Sequence, residues 1–216
     1  MAAKSTSVWL PRVLFESALI VLSILVALGL DEWRENREDE ETVQLALSNF
    51  VREIRLNQAS VEDAAPFNQG LKSVLRNRYQ TNDIGSVDEF VNMVESYSPT
   101  VLQSTAWETA LATGSLAKMD YELVSALSLT YSLQNRYLMA SRSGMAELTS
   151  PQNLSADKLN LAVYNSIRYL SDITGMEEEL SVTYNEANAV IQLAMTPDRR
   201  DQGDQVLMEA RDTTQQ

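Results

Sequence analysis

With no histidine and no cysteine in its 216 residues, the chain has only carboxylates, lysines and hydroxyls with which to do chemistry. The missing histidine removes the commonest general base and the commonest metal ligand together. The missing cysteine removes thiolate nucleophiles, disulfides, zinc–thiolate and iron–sulfur sites, and with them any inference of redox compartment. A metal would need a set of carboxylates and would be a hard cation. The densest such set is Asp31, Glu32, Glu35, Glu38, Asp39, Glu40 and Glu41, interleaved with Arg34 and Arg37. On a helix Glu35, Glu38 and Asp39 share one face. Glu38 also follows Arg34 by four positions, so a solvated surface of acid–arginine pairs accounts for the run more simply, and no metal is assigned. Serine–lysine catalysis would draw on Lys4, Lys72, Lys118 or Lys158, none with a suggestive neighbour. Phosphate-loop, dinucleotide and nucleophile-elbow patterns are all missing. No catalytic and no cofactor-binding residue is assigned, and the chain is read as a non-enzyme.

The formal net charge of −13 argues against nucleic acid, which requires a basic face to displace counterions. It also argues against the polar part lying on an anionic lipid surface. Only 7 Gly and 5 Pro punctuate the chain, which favours long helices over a turn-rich β fold.

Those helices begin in an apolar run. Between Arg12 and Asp31 lie 18 residues with one charge, Glu16. As a helix they span roughly 27 Å, close to the thickness of a bilayer's hydrocarbon core. Trp9 and Trp33 lie about 36 Å apart on that helix, placed to anchor it at the two interfaces. Glu16 sits one turn inside. Either it snorkels outward or pairs with Arg12, or it is a contact for a partner within the membrane. The Ala27-Leu28-Gly29 stretch satisfies a signal-peptidase rule, but no helix breaker precedes it, so a retained anchor is preferred to a cleaved leader. The Lys/Arg balance across the span is nearly even. The short leading segment places the N-terminus in the cytoplasm and the polar domain in the periplasm or exterior.

No Pro or Gly occurs from Leu30 to Ala65, so the membrane helix continues outward as a stalk. Val43, Leu47, Phe50, Ile54 and Val61 make a 3-4 stripe along it, interrupted by Asn57 and Gln58. The stripe is either a homodimeric coiled coil or the core-facing side of this helix. Ala65-Pro66 ends or kinks the helix, and Phe67, Leu71, Val74 and Leu75 form the next apolar face. Ser86 with Glu89, and Thr105 with Glu108, have capping-box spacing. Gly114 suits a left-handed helix end, and Asp120 caps a longer helix bearing Leu123, Val124, Leu127, Tyr131 and Leu138. Ser150-Pro151 and Ser155 look like helix starts. Helical spacing then runs from Leu159 to Ala194, with Gly175 as a kink or a division. The tail from Thr196 is polar and read as disordered.

Two segments resemble a known family. Ala27-Leu28-Gly29-Leu30-Asp31-Glu32-Trp33-Arg34-Glu35 follows an apolar run, and Trp107-Glu108-Thr109-Ala110-Leu111-Ala112-Thr113-Gly114-Ser115-Leu116 leads through Met119-Asp120-Tyr121-Glu122-Leu123 to Tyr131. Together they resemble bacterial single-span membrane proteins that carry only a domain-of-unknown-function label. The resemblance covers about residues 13 to 140. It implies a membrane-anchored helical protein and transfers no site residues. Physically, Trp107, Gly114, Tyr121 and Tyr131 form either a helix–turn–helix corner of the core or an aromatic pocket.

The expectation is therefore an all-α chain. Residues 1–12 precede a transmembrane helix (13–30), a helical stalk (31–65), a multi-helix antiparallel bundle (66–195) packed on the stalk, and a disordered tail (196–216). Its partners are the lipid bilayer and a protein or second copy. It is an accessory or assembly subunit of a membrane complex in the bacterial inner membrane; the alternative is an extracytoplasmic ligand-sensing bundle that signals through its stalk.

Overall fold

The absence of helix breakers after Leu30 has its expected consequence and goes further. In the computed structural model, which describes residues 9–95, 97, 100–148, 150 and 154–196 and their side chains other than those of 9–13 and 145, the first helix, α1, runs unbroken over Trp9–Thr81. It does not end at Pro66. That residue is exposed, so the ring and the lost N–H fall on the solvent side, while Val61 and Asn68 on the opposite side are both buried. Four helices follow: α2 (Val87–Glu95), α3 (Thr105–Thr113), α4 (Tyr121–Leu148) and α5 (Leu159–Met195), with a 3-10 turn at Ser115–Lys118 between α3 and α4. There is no strand among the described residues, and the protein is all-α. The tail beyond Thr196 lies outside the described residues.

By its internal contacts the chain forms two units, Met1–Leu45 and Ala46–Gln216. In the first, the described residues are helix alone, and every side chain from Leu14 to Glu38 is exposed. The second is a bundle of α1 from Ala46 onward, α4 and α5, with α2 and α3 packed against it.

Hydrogen-bonded and ring pairs set the directions of the bundle helices. Between α1 and α5 they are Gln58–Asn185, Asn68–Glu177, Lys72–Thr174 and Tyr79–Tyr164, descending on one helix as they ascend on the other. Between α4 and α5, Gln134 meets Tyr184, Tyr137 meets Glu177, and Ser141 meets Tyr169. So α5 is antiparallel to both. Between α1 and α4 the pairs are Glu53–Tyr131 and Asn57–Gln134, ascending together. These two helices are parallel, and residues 82–120 form the crossover that parallel neighbours require.

The stripe on α1 faces this core. Leu47, Phe50, Ile54 and Val61 are buried, so the stripe from Leu47 onward is used within the chain. Farther along α1 the inward face is Asn68, Leu71 and Leu75; Phe67 and Val74 are largely exposed. At that end α2 covers the bundle, bringing Phe90 and Val94 against Leu75, Leu148, Leu159, Val163 and Leu170. Each fully buried side chain of this size stabilises by roughly 1.5–3 kcal/mol relative to exposure. The Ser86–Glu89 capping box forms as expected: the Glu89 N–H donates to Ser86 Oγ at 3.2 Å, and the Ser86 N–H to Glu89 Oε2 at 3.4 Å. Helix α5 begins at Leu159, after a turn at Ser155–Lys158, and passes Gly175 without a break.

Candidate functional site

The anticipated corner is partly there. Gly114 ends α3 at φ 71°, its N–H donating to the Leu111 carbonyl at 3.2 Å. Trp107 stacks on Tyr131, ring centroids 5.5 Å apart. Two features differ from expectation. Tyr121 is 85% exposed and Leu111 is 56% exposed, because each lies off the face its helix buries, which carries Leu123 on α4 and Ala110 on α3. The start of α3 also shifts by one residue. Its N-cap is Ser104, whose hydroxyl goes to Glu108 Oε1 at 2.6 Å and not to a backbone amide.

Beside the Trp107–Tyr131 stack is a cleft of about 350 Å³ lined by Ser104, Glu108, Ser128, Ser132, Asn135 and Leu138 as well as the two rings and Gln134. Such a volume is at the lower end of small-molecule sites. The buried polar atoms behind it are already engaged. The Tyr131 hydroxyl donates to Glu53 Oε1 at 2.7 Å. Burial, followed by that carboxylate, drives the phenol's pKa far above the ordinary tyrosine range, so it stays a donor. Glu53 Oε2 accepts the Ala106 N–H at 2.9 Å. One buried carboxylate on α1 thus supplies the cap that Ser104 does not, satisfying an amide of the first turn of α3.

One turn on, Asn57 does the same for an irregular segment. Its Oδ1 accepts the Gln103 N–H at 2.8 Å, and its Nδ2 donates to the Gln103 carbonyl at 2.8 Å and to Gln134 Oε1 at 3.0 Å. Gln134 Nε2 donates to the same carbonyl at 2.8 Å, and the Tyr184 hydroxyl donates to Gln134 Oε1 at 2.9 Å. Buried backbone between helices has to be paired, and these side chains pair it.

The column continues at Asn68, Glu177 and Tyr137, all essentially inaccessible. Asn68 Nδ2 donates to Glu177 Oε1 at 2.6 Å, and the Tyr137 hydroxyl to the same oxygen at 3.1 Å. It ends at Tyr97 and Tyr169, where the Tyr169 hydroxyl donates to the Ser141 carbonyl at 3.1 Å and meets the Tyr97 hydroxyl at 3.3 Å. Periodicity gives no sign of Glu53, while Gln134, Ser141 and Glu177 fall in the apolar registers of α4 and α5. The one available signal was a polar residue standing in an apolar helical register, as Asn57 does.

In the first unit, Trp33 is 60% exposed with the Arg37 guanidinium 5.7 Å from its ring centre. Arg34 pairs with Glu38 at 3.4 Å and Arg37 with Glu41 at 3.7 Å, the expected i,i+4 pairs. The side chain of Trp9 lies outside the described residues; Glu16 is exposed on α1. The helix holds an 18-residue window of mean hydropathy 2.1, none of it buried by the rest of the chain, so it is long and apolar enough to cross a membrane. Comparison of the chain with protein families, curated proteins and solved structures gives no match.

Proposed function

We propose that this is a single-span membrane protein of the bacterial inner membrane whose helical bundle works by protein contact, as an accessory or assembly subunit of a membrane complex. The observation that carries the reading is the first unit. Large apolar side chains from Leu14 to Leu30 stand exposed all around a helix, an arrangement that hydrocarbon or another transmembrane helix accommodates and water does not. The polar column supports the non-enzymatic part: Glu53, Asn57, Gln134 and Tyr131 are spent on one another and on backbone groups. The bundle lies outside the cytoplasm in this reading, and its partner is a protein or a second copy. Membership of the single-span family of undefined function belongs to the same proposal.

Purification of the full chain in mild detergent, with identification of co-purifying proteins after cross-linking, tests it. A stoichiometric membrane partner is expected. A monodisperse monomer with no cross-linked species overturns it. The cleft beside Trp107 favours a second reading, a ligand-sensing bundle. Thermal stabilisation by a small ligand, abolished in Trp107→Ala, would separate that reading from the first.

A further inference from the structure

Glu53 and Glu177 are both buried glutamates, and their surroundings differ in one respect. Each oxygen of Glu53 accepts a hydrogen bond. At Glu177, both donors within reach, Asn68 Nδ2 and the Tyr137 hydroxyl, go to Oε1. Glu177 Oε2 has no partner, and neither does Asn68 Oδ1; these are two of four such buried side-chain oxygens among the described residues. Both belong to side chains whose other polar atoms are 2.6 Å apart. With Glu177 ionised, the two free atoms are acceptors with no hydrogen to share, each carrying its full desolvation cost. A single proton on Oε2 turns one of these two acceptors into a donor.

We propose that Glu177 is a proton-binding site in the folded protein: a carboxylic acid donating from Oε2 to Asn68 Oδ1, a latch that joins α1 to α5 and, through Tyr137, to α4. The groups facing it are few. From α1, Lys72 favours the ionised form, but its Nζ is engaged by Thr174 Oγ1 at 2.7 Å. From α4 comes Tyr137, itself kept neutral chiefly by burial; Arg136 next to it is drawn to Glu179 at 2.7 Å on the exposed flank. On α5, the neighbouring Glu178 favours the neutral form. The crossover contributes Tyr97, which lies near Tyr137. Burial is the largest influence, and it raises the Glu177 pKa above the ordinary 4.5. A raised carboxyl contributes stability that is complete below the unfolded value of about 4.5 and is lost as pH rises through the folded value.

The test is thermal unfolding of the full chain in detergent from about pH 5 to about pH 9, for wild type and Glu177→Gln, whose amide offers Asn68 Oδ1 a donor at every pH. The curves should converge at the acid end, with Glu177→Gln higher by roughly 3 °C or more at the alkaline end. Infrared spectroscopy supplies a readout that needs no glutamate variant. A protonated-carboxyl carbonyl band should persist in the wild type after the exposed acids have ionised, and Asn68→Leu should shift it. Parallel unfolding profiles, or a wild-type spectrum without the band, overturn the proposal.

Discussion

Gly144 on α4 lies directly under the ring of Tyr169 on α5, so close that a Cβ there would fall 2.1 Å from Tyr169 Cε2. The contact lets the Tyr169 hydroxyl reach the Ser141 carbonyl one turn earlier on α4. Gly144→Ala should therefore destabilise. Better helix propensity favours alanine by up to about 1 kcal/mol, but displacing a packed ring costs roughly 1–3 kcal/mol and strains the hydroxyl's bond. Chemical denaturation should give a net loss, and Tyr169→Leu in the same chain should relieve most of the clash. A Gly144→Ala variant as stable as the wild type would mean the ring moves freely.

Asn57 offers a graded comparison. Asn57→Leu leaves the Gln103 N–H without its partner, while the Gln103 carbonyl keeps Gln134 Nε2. The expected loss is about 1–3 kcal/mol, the cost of one orphaned buried donor. Asn57→Asp keeps the acceptor for that N–H but sets a carboxylate oxygen against the Gln103 carbonyl and Gln134 Oε1. It should be the worse of the two at neutral pH and recover in acid as the new carboxyl protonates. Urea unfolding at two pH values ranks them, and equal losses would rule out the geometry drawn here.

Local features were legible in the sequence, and features joining distant segments were not. The Ser86–Glu89 box and the Gly114 helix end are settled within a few residues, so spacing suffices to find them. The α5 face also followed from period alone, since Leu159, Val163, Ile167, Leu170, Leu180, Tyr184 and Ile191 are all buried. Asn57 read as an interruption of the α1 stripe because its partners at Gln103 and Gln134 are far along the chain. Tyr121 and Tyr131 looked equivalent by type, yet only Tyr131 meets a helix face. The parallel course of α1 and α4 has no local signature; it depends on side-chain pairs such as Glu53 with Tyr131. Of the run Glu177-Glu178-Glu179 only Glu177 falls in the apolar register of α5, between Ile173 and Leu180, but its partners Asn68 and Tyr137 come from other helices and have no local signature.

Glu53 and Tyr131 should be strongly coupled. Tyr131→Phe strips a donor from a buried carboxylate oxygen, and Glu53→Gln weakens the cap on the Ala106 N–H as well as the phenol bond. Each single change should cost about 1–3 kcal/mol. In a double-mutant cycle the pair should show an interaction energy of roughly 0.5–3 kcal/mol. The Trp107–Tyr131 stack gives an independent optical check. Both variants should alter Trp107 emission, most simply read in a chain with Trp9 and Trp33 replaced by phenylalanine. Additive energies would show that the two groups act separately.

Glu16 is where the membrane reading can be challenged most directly. An ionisable side chain within an apolar span is costly enough that it should have a partner or reach the interface. If the partner is another membrane protein, Glu16→Leu should leave insertion intact, as judged by carbonate extraction, while reducing recovery of the cross-linked complex by about tenfold, the loss expected when roughly 1.4 kcal/mol of contact disappears. Glu16→Gln should retain part of it through its amide. Trp33→Ala should instead weaken interfacial anchoring and leave the complex largely in place. Undiminished cross-linking in Glu16→Leu would place the carboxylate at the interface as a snorkelling group and shift the search for the partner to the bundle.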